Sequence, residues 1–217
     1  MNKLYSKVFM WLFVGLLITY FLGFGLQFVI MNNPTIASLL FKGPGFIIII
    51  ILEIIVALIL SIRIAKMNST LVKILYILYC ALTGVTFSTI FMLFELSSII
   101  FIFLVTGVIF GIFAIIGAKL DVDLTKFGTY LFIALIGVVI VEIINIFIGS
   151  STLDMILSAV AILIFTLYIG YDIKKVQDMS DQGMEDDNVA VYGAFQLFLD
   201  FINIFIRLLQ FFGKLKD

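Results

Sequence analysis

The stretch 189-VAVYGAFQLFLDFINIFIRLLQFF-212 decides the fold. It is long enough for a helix to cross a bilayer core, which takes about 20 mostly apolar residues. Its polar residues, Gln196, Asp200, Asn203, Arg207 and Gln210, recur at spacings of four, three, four and three, so they share one helical face. The other faces carry Leu197, Phe198, Leu199, Phe201, Ile202, Ile204 and Phe205. The polar stripe must therefore look onto protein or a water-filled cavity. It either locks helices together, with Asp200 and Arg207 as an internal pair two turns apart, or forms a conducting or sensing surface, which is the preferred reading.

The rest of the chain has the same character. Of 217 residues, 64% are hydrophobic and only 12% charged, far above the apolar share of a water-soluble domain. Such an excess needs lipid as a second solvent. There is no histidine, and Cys80 is the single cysteine. Internal disulfides, histidine-ligated metals, a histidine base and a Cys/His nucleophile are excluded, and a structural zinc site has no ligand set. With 13 Lys and Arg against 14 Asp and Glu, the net charge of −1 offers no basic stripe for nucleic acid.

Reading apolar stretches between polar breaks predicts seven spans: 8–31, 45–65, 74–94, 97–117, 127–148, 153–171 and 189–212. Asn32, Asn33, Pro34 and the Lys42-Gly43-Pro44 turn part the first two, and Pro44 suits a helix start. The break between the third and fourth spans is the weakest, since only Glu95 and the Ser97-Ser98 pair interrupt the apolar run. One merged helix would be roughly twice the length a bilayer accepts, so a tight hairpin is expected there. The chain reads as one all-α integral membrane domain over residues 1–217.

Lysine and arginine orient it. With the N-terminus inside, the inner segments hold Lys3, Lys7, Arg63, Lys66, Lys73, Lys119, Lys126, Lys174 and Lys175. Lys42, Arg207, Lys214 and Lys216 fall outside. This bias places the N-terminus in the cytoplasm and the C-terminus outside it. The first span follows two lysines and has no small-residue cleavage site, so it reads as a retained helix.

Ionisable residues inside spans are costly and usually face protein or water. Glu53 lies in the second span, Glu142 in the outer half of the fifth, Asp172 at the inner end of the sixth and Asp200 near the middle of the seventh, while Arg63 marks the inner end of the second. Glu142 shares a helical face with Asn145 and reads either as a second cation ligand or, preferably, as a buried acid held protonated.

Tyr171-Asp172 closes the sixth span, and Leu199-Asp200-Phe201-Ile202-Asn203-Ile204-Phe205 is followed by Leu208, Leu209 and Phe211-Phe212-Gly213. This pattern resembles the C-terminal signature of the Bax inhibitor-1 family, also called the transmembrane Bax inhibitor motif family. Ile51-Leu52-Glu53, Gly84-Val85-Thr86, Ile116-Gly117-Ala118-Lys119 and Asn145-Ile146-Phe147 are similar to its bacterial, pH-sensitive calcium-leak members. The resemblance implies two three-helix layers around a central seventh helix, and a passive, pH-dependent leak of calcium with no other cofactor. It implies that Asp172 and Asp200 form a hydrogen-bonded, pH-sensing pair that holds calcium transiently, that a basic residue at the inner end of the second helix latches the pair, and that Glu53, Asp172, Asp200 and Asn203 line the ion path. Two carboxylates in one low-dielectric site cannot both ionise cheaply and titrate as a unit.

Two features do not fit easily. From the span boundaries alone, Asp172 and Asp200 differ in depth on the order of 12 Å. This closes if the seventh helix starts later than Val189 or if an inner vestibule admits water. Arg63 fits the latch by type and place, but ten residues separate it from Glu53, one fewer than in the bacterial pattern. One residue turns a helix by about 100°, so Arg63 is also read as snorkelling to lipid phosphates.

Weaker signals have plain readings. The acidic run between Lys174 and Asn188, with Asp178, Asp181, Glu185, Asp186 and Asp187, lacks the spacing of a calcium loop and is expected to be a solvated cytoplasmic loop. Asp121 and Asp123 read as helix-start residues, Gly15, Gly23 and Gly25 as close-packing positions, and Cys80 as a small buried residue. The seventh span has no lysine within its apolar part for a retinal Schiff base, and no Gly-x-Gly-Asp protease motif is present. The expectation is a non-enzymatic calcium leak, monomeric, in a bacterial inner membrane. A regulator acting through a membrane-protein partner, such as a membrane protease, and a proton-coupled calcium exchanger remain as alternatives.

Overall fold

The helix breaks are where polar side chains can replace the lost ladder of backbone bonds. A computed structural model describes residues 2–42, 44–119, 125–184 and 186–216. Among these the chain forms α1 (Asn2–Asn32), the short α2 (Pro34–Ala37), α3 (Gly45–Arg63), α4 (Ser69–Leu93), α5 (Leu96–Lys119), α6 (Thr125–Ile148), α7 (Ser151–Asp181) and α8 (Asp186–Phe212). All but α2 are long and apolar enough to cross a membrane, which makes the seven expected spans. Asn33 caps α2 by accepting from the Thr35 and Ile36 amides, and Pro34 opens it. Asn68 accepts from the Leu71 amide at 2.8 Å, which starts α4 a turn earlier than its apolar run. The weakest of the expected breaks is there: α4 ends at Leu93, Phe94 is extended, and α5 begins at Leu96.

The main correction concerns α7. It does not end at Tyr171 but continues to Asp181. Ile173 and Val176 are each only 1% exposed, so apolar burial carries the helix on. Lys174 and Asp178 pair across one turn at 3.7 Å. The expected loop from residue 174 is thus helical through Asp181, and the turn is made at Gly183 with φ of 79°. The expectations for Asp121, Asp123 and Glu185 fall outside the described residues.

Contacts divide the chain into two compact units. The first comprises residues 1–96, 179–195 and 215–217. In it α1 packs closely on α4. A methyl group added at Gly15 would meet Tyr76 and Cys80, and one at Gly23 would meet the Gly84 carbonyl. Gly25 has open space around it and takes no part in that packing. The Thr19 hydroxyl donates to the Cys80 carbonyl at 3.0 Å and the Tyr76 hydroxyl to the Trp11 carbonyl at 2.8 Å. Cys80 is fully buried, as expected. At the N-terminal end of α8, Asp187 pairs with Lys7 and Lys73, each at 2.7 Å.

The second unit comprises residues 97–178 and 196–214. Its core joins Leu131 and Val138 of α6 to Leu157, Ala161 and Ile164 of α7. Phe201 of α8 meets Phe103 and Phe110 of α5 edge-on. Gly117 and Gly170 bring α5 and α7 into backbone contact. The last helix is the most enclosed: 78% of its most apolar window is buried, against at most 44% for the other six.

Candidate functional site

Within the second unit, α7 and α8 bring the two predicted aspartates together. Asp172 and Asp200 are each 3% exposed, and their carboxyl groups hydrogen-bond to one another. Gln196, one turn before Asp200 on the same face of α8, also hydrogen-bonds Asp172. A later start of the seventh span is not the reason the depths agree, since α8 begins at Asp186, before Val189. Extending α7 to Asp181 carries Asp172 roughly 14 Å away from the end of its helix, to a level Asp200 can meet.

The neighbours of the pair come largely from α7. Tyr168 stands one turn before Asp172 and lies within electrostatic reach of both carboxyls. Lys175, one turn after it, is the nearby cation: it acts on Asp172 and sits over the Tyr171 ring at 5.7 Å. Sequence reading passed over both, although their spacing from Asp172 on a helix was a usable signal. Asp172 Oδ1, Asp200 Oδ2 and Gln196 Oε1 are buried and accept no hydrogen bond from the described residues.

Other predicted residues have different partners. Asn203 is half-buried and donates its amide to the Leu199 carbonyl of its own helix at 2.8 Å. Arg207 does not pair with Asp200. It forms an ion pair with Glu142 of α6 and donates to the Ser158 hydroxyl of α7 at 3.3 Å. Glu142 is therefore the partner of a half-buried arginine rather than a lone acid. Nor does Asn145 join it as a cation ligand. Its side chain bridges the Ser150 amide and carbonyl, both at 3.2 Å, and secures the α6–α7 turn where Gly149 has φ of 69°.

Glu53 and Arg63 belong to the first unit. Glu53 is half-buried on α3, and the Thr83 and Thr86 hydroxyls of α4 both reach its carboxylate, that of Thr86 at 3.4 Å. Arg63 is exposed at the last position of α3. Among the described residues no cluster of three or more Asp, Glu, Cys or His could hold a metal ion. A cation at the aspartate pair would need further oxygens, since calcium takes six to eight.

The family described as inhibitor of apoptosis-promoting Bax1 matches residues 1–217. The inner membrane protein YbhL of Escherichia coli is 35% identical over 215 residues, covering 96% of this chain and 90% of its own. An uncharacterized protein of Borreliella burgdorferi is 34% identical over 222 residues, covering 100% of this chain and 94% of its own. An uncharacterized membrane protein of Streptococcus pyogenes is 34% identical over 219 residues, covering 98% and 91%. None of these three carries an enzyme's name.

Proposed function

The chain belongs to the Bax inhibitor family along its whole length, and on that premise we propose that it is a passive calcium leak channel gated by protonation of the Asp172–Asp200 pair. The observation that carries this reading is the hydrogen bond between two buried carboxyl groups. Two carboxyl groups in contact share a hydrogen bond only while one of them holds a proton, because an ionised carboxylate only accepts. Removing that proton leaves two anions in contact in a low-dielectric interior. They must separate or take up a cation.

The pair is thus a two-state element joining α7 to α8, and pH biases which packing it holds. Calcium, the transported ion, is attracted when both carboxylates are charged. Arg63, at the exposed end of α3, is the basic residue this reading assigns as the latch that competes with calcium for the pair. Glu53, with the hydroxyls of Thr83 and Thr86, and Asn203 offer further oxygens along the path. The protein acts as a monomer, without a resident cofactor. It resides in the inner membrane with its N-terminus in the cytoplasm, a placement supported by the lysine and arginine bias and by its Escherichia coli relative being an inner membrane protein.

The test is calcium influx into dye-loaded proteoliposomes over the acid to mildly alkaline range. Native protein is expected to leak calcium to a degree that depends on pH, without an opposing proton gradient. No flux above empty liposomes at any pH would overturn the channel reading and favour a regulator acting through a protein partner. Flux only against an opposing proton gradient would make it an exchanger.

A further inference from the structure

The aspartate pair has a third oxygen beside it. Asp172 hydrogen-bonds both Asp200 and Gln196, so the unpartnered Asp172 Oδ1, Asp200 Oδ2 and Gln196 Oε1 belong to one neighbourhood. All three are acceptors sealed from solvent, and a buried acceptor without a donor is expensive unless something electrophilic comes to it. A proton can serve only one of them. A divalent cation takes several oxygens at once.

The Gln196 amide is suited to this by its orientation. Gln196 is in hydrogen-bonding contact with Asp172, and since its Oε1 has no partner, the amide nitrogen makes that contact and Oε1 is left unspent. Gln196 and Asp200 lie one turn apart on α8, so one helix supplies two of the oxygens and α7 the third. We infer that Gln196 is the third protein ligand of a divalent-cation site, its carbonyl oxygen joining one carboxylate oxygen from each of Asp172 and Asp200. A neutral third ligand adds coordination without adding charge. Two carboxylates and an amide leave several positions to water, which suits the large, loosely ordered shell of calcium better than the strict octahedron of magnesium.

This inference deepens the leak reading and rests on it only for the claim that the bound ion is in transit. Its test is therefore direct binding of calcium to the purified full-length protein in detergent, run beside the flux assay. Gln196→Met keeps the volume but removes the oxygen. It is expected to weaken calcium binding roughly tenfold, the loss of about 1.4 kcal/mol, and to raise the calcium concentration giving half-maximal flux. Gln196→Glu separates a ligand from a mere hydrogen-bond donor. A carboxylate cannot donate to Asp172 but can bind calcium, so binding at least as tight as native is expected if residue 196 is a ligand. Binding unchanged in Gln196→Met, or weakened in Gln196→Glu as much as in Gln196→Met, would overturn the inference. If Gln196→Met does not fold, the Glu variant decides alone. Calcium binding that depends on Gln196 without any flux would sink the leak and keep the site; pH-gated flux indifferent to Gln196 would do the reverse.

Discussion

Glu142 of α6 and Arg207 of α8 form an ion pair inside the membrane-spanning region, and Ser158 of α7 accepts a second bond from the same guanidinium. One arginine thereby ties three helices of the second unit. The side chains are 20% and 26% exposed, so breaking the pair strands a charge where water screens it poorly. Glu142→Gln or Arg207→Gln is expected to destabilise by on the order of 3 kcal/mol, while the double variant recovers most of the loss. Thermal unfolding in detergent reads this. Single and double variants melting alike would show that the pair contributes little.

Asp172→Asn and Asp200→Asn each replace an ionisable group with a neutral one. Because the two carboxyls share one hydrogen bond, either change removes the two-state element. Flux in both variants is expected to lose its pH dependence and settle at a similar level, as measured in proteoliposomes. Persistence of the native pH profile in either one would show that gating lies elsewhere.

The latch assignment of Arg63 separates cleanly from snorkelling. As a latch, Arg63→Ala should raise calcium flux roughly five- to tenfold at the pH where the native protein is least active, with Arg63→Lys close to native. A snorkelling arginine would leave the flux unchanged in both.

At Gly117 an added Cβ would sit 2.5 Å from the Gly170 Cα and 2.7 Å from its carbonyl oxygen. Since backbone atoms cannot step aside, Gly117→Ala must part α5 from α7, a cost of about 1–3 kcal/mol by analogy with overpacked cores. Gly107→Ala on the same helix meets nothing within 4 Å and should melt like the native protein.

Cys80 is fully buried, which makes it a silent background for labelling. In intact cells a membrane-impermeant thiol reagent should modify Gly213→Cys and spare Lys3→Cys. The opposite pattern would invert the proposed topology.

Amino-acid order by itself determined the number and placement of the spans. Crossing lipid needs about 20 apolar residues whose backbone bonds close within the segment, and that is a local property of consecutive residues. It also marked Glu53, Glu142, Asp172 and Asp200 as misplaced in lipid and put Gln196, Asp200 and Arg207 on one face. Only the tertiary structure decided who meets whom. Arg207 turned from Asp200 to Glu142, Asn145 went to the α6–α7 turn, and Lys175 became the cation beside Asp172. The extension of α7 to Asp181 belongs to the same class, because it goes with the burial of Ile173 and Val176, which the order of residues alone does not reveal. Helical periodicity says which residues share a face. Which face it meets depends on the register between helices, and that emerges only when the whole set packs together.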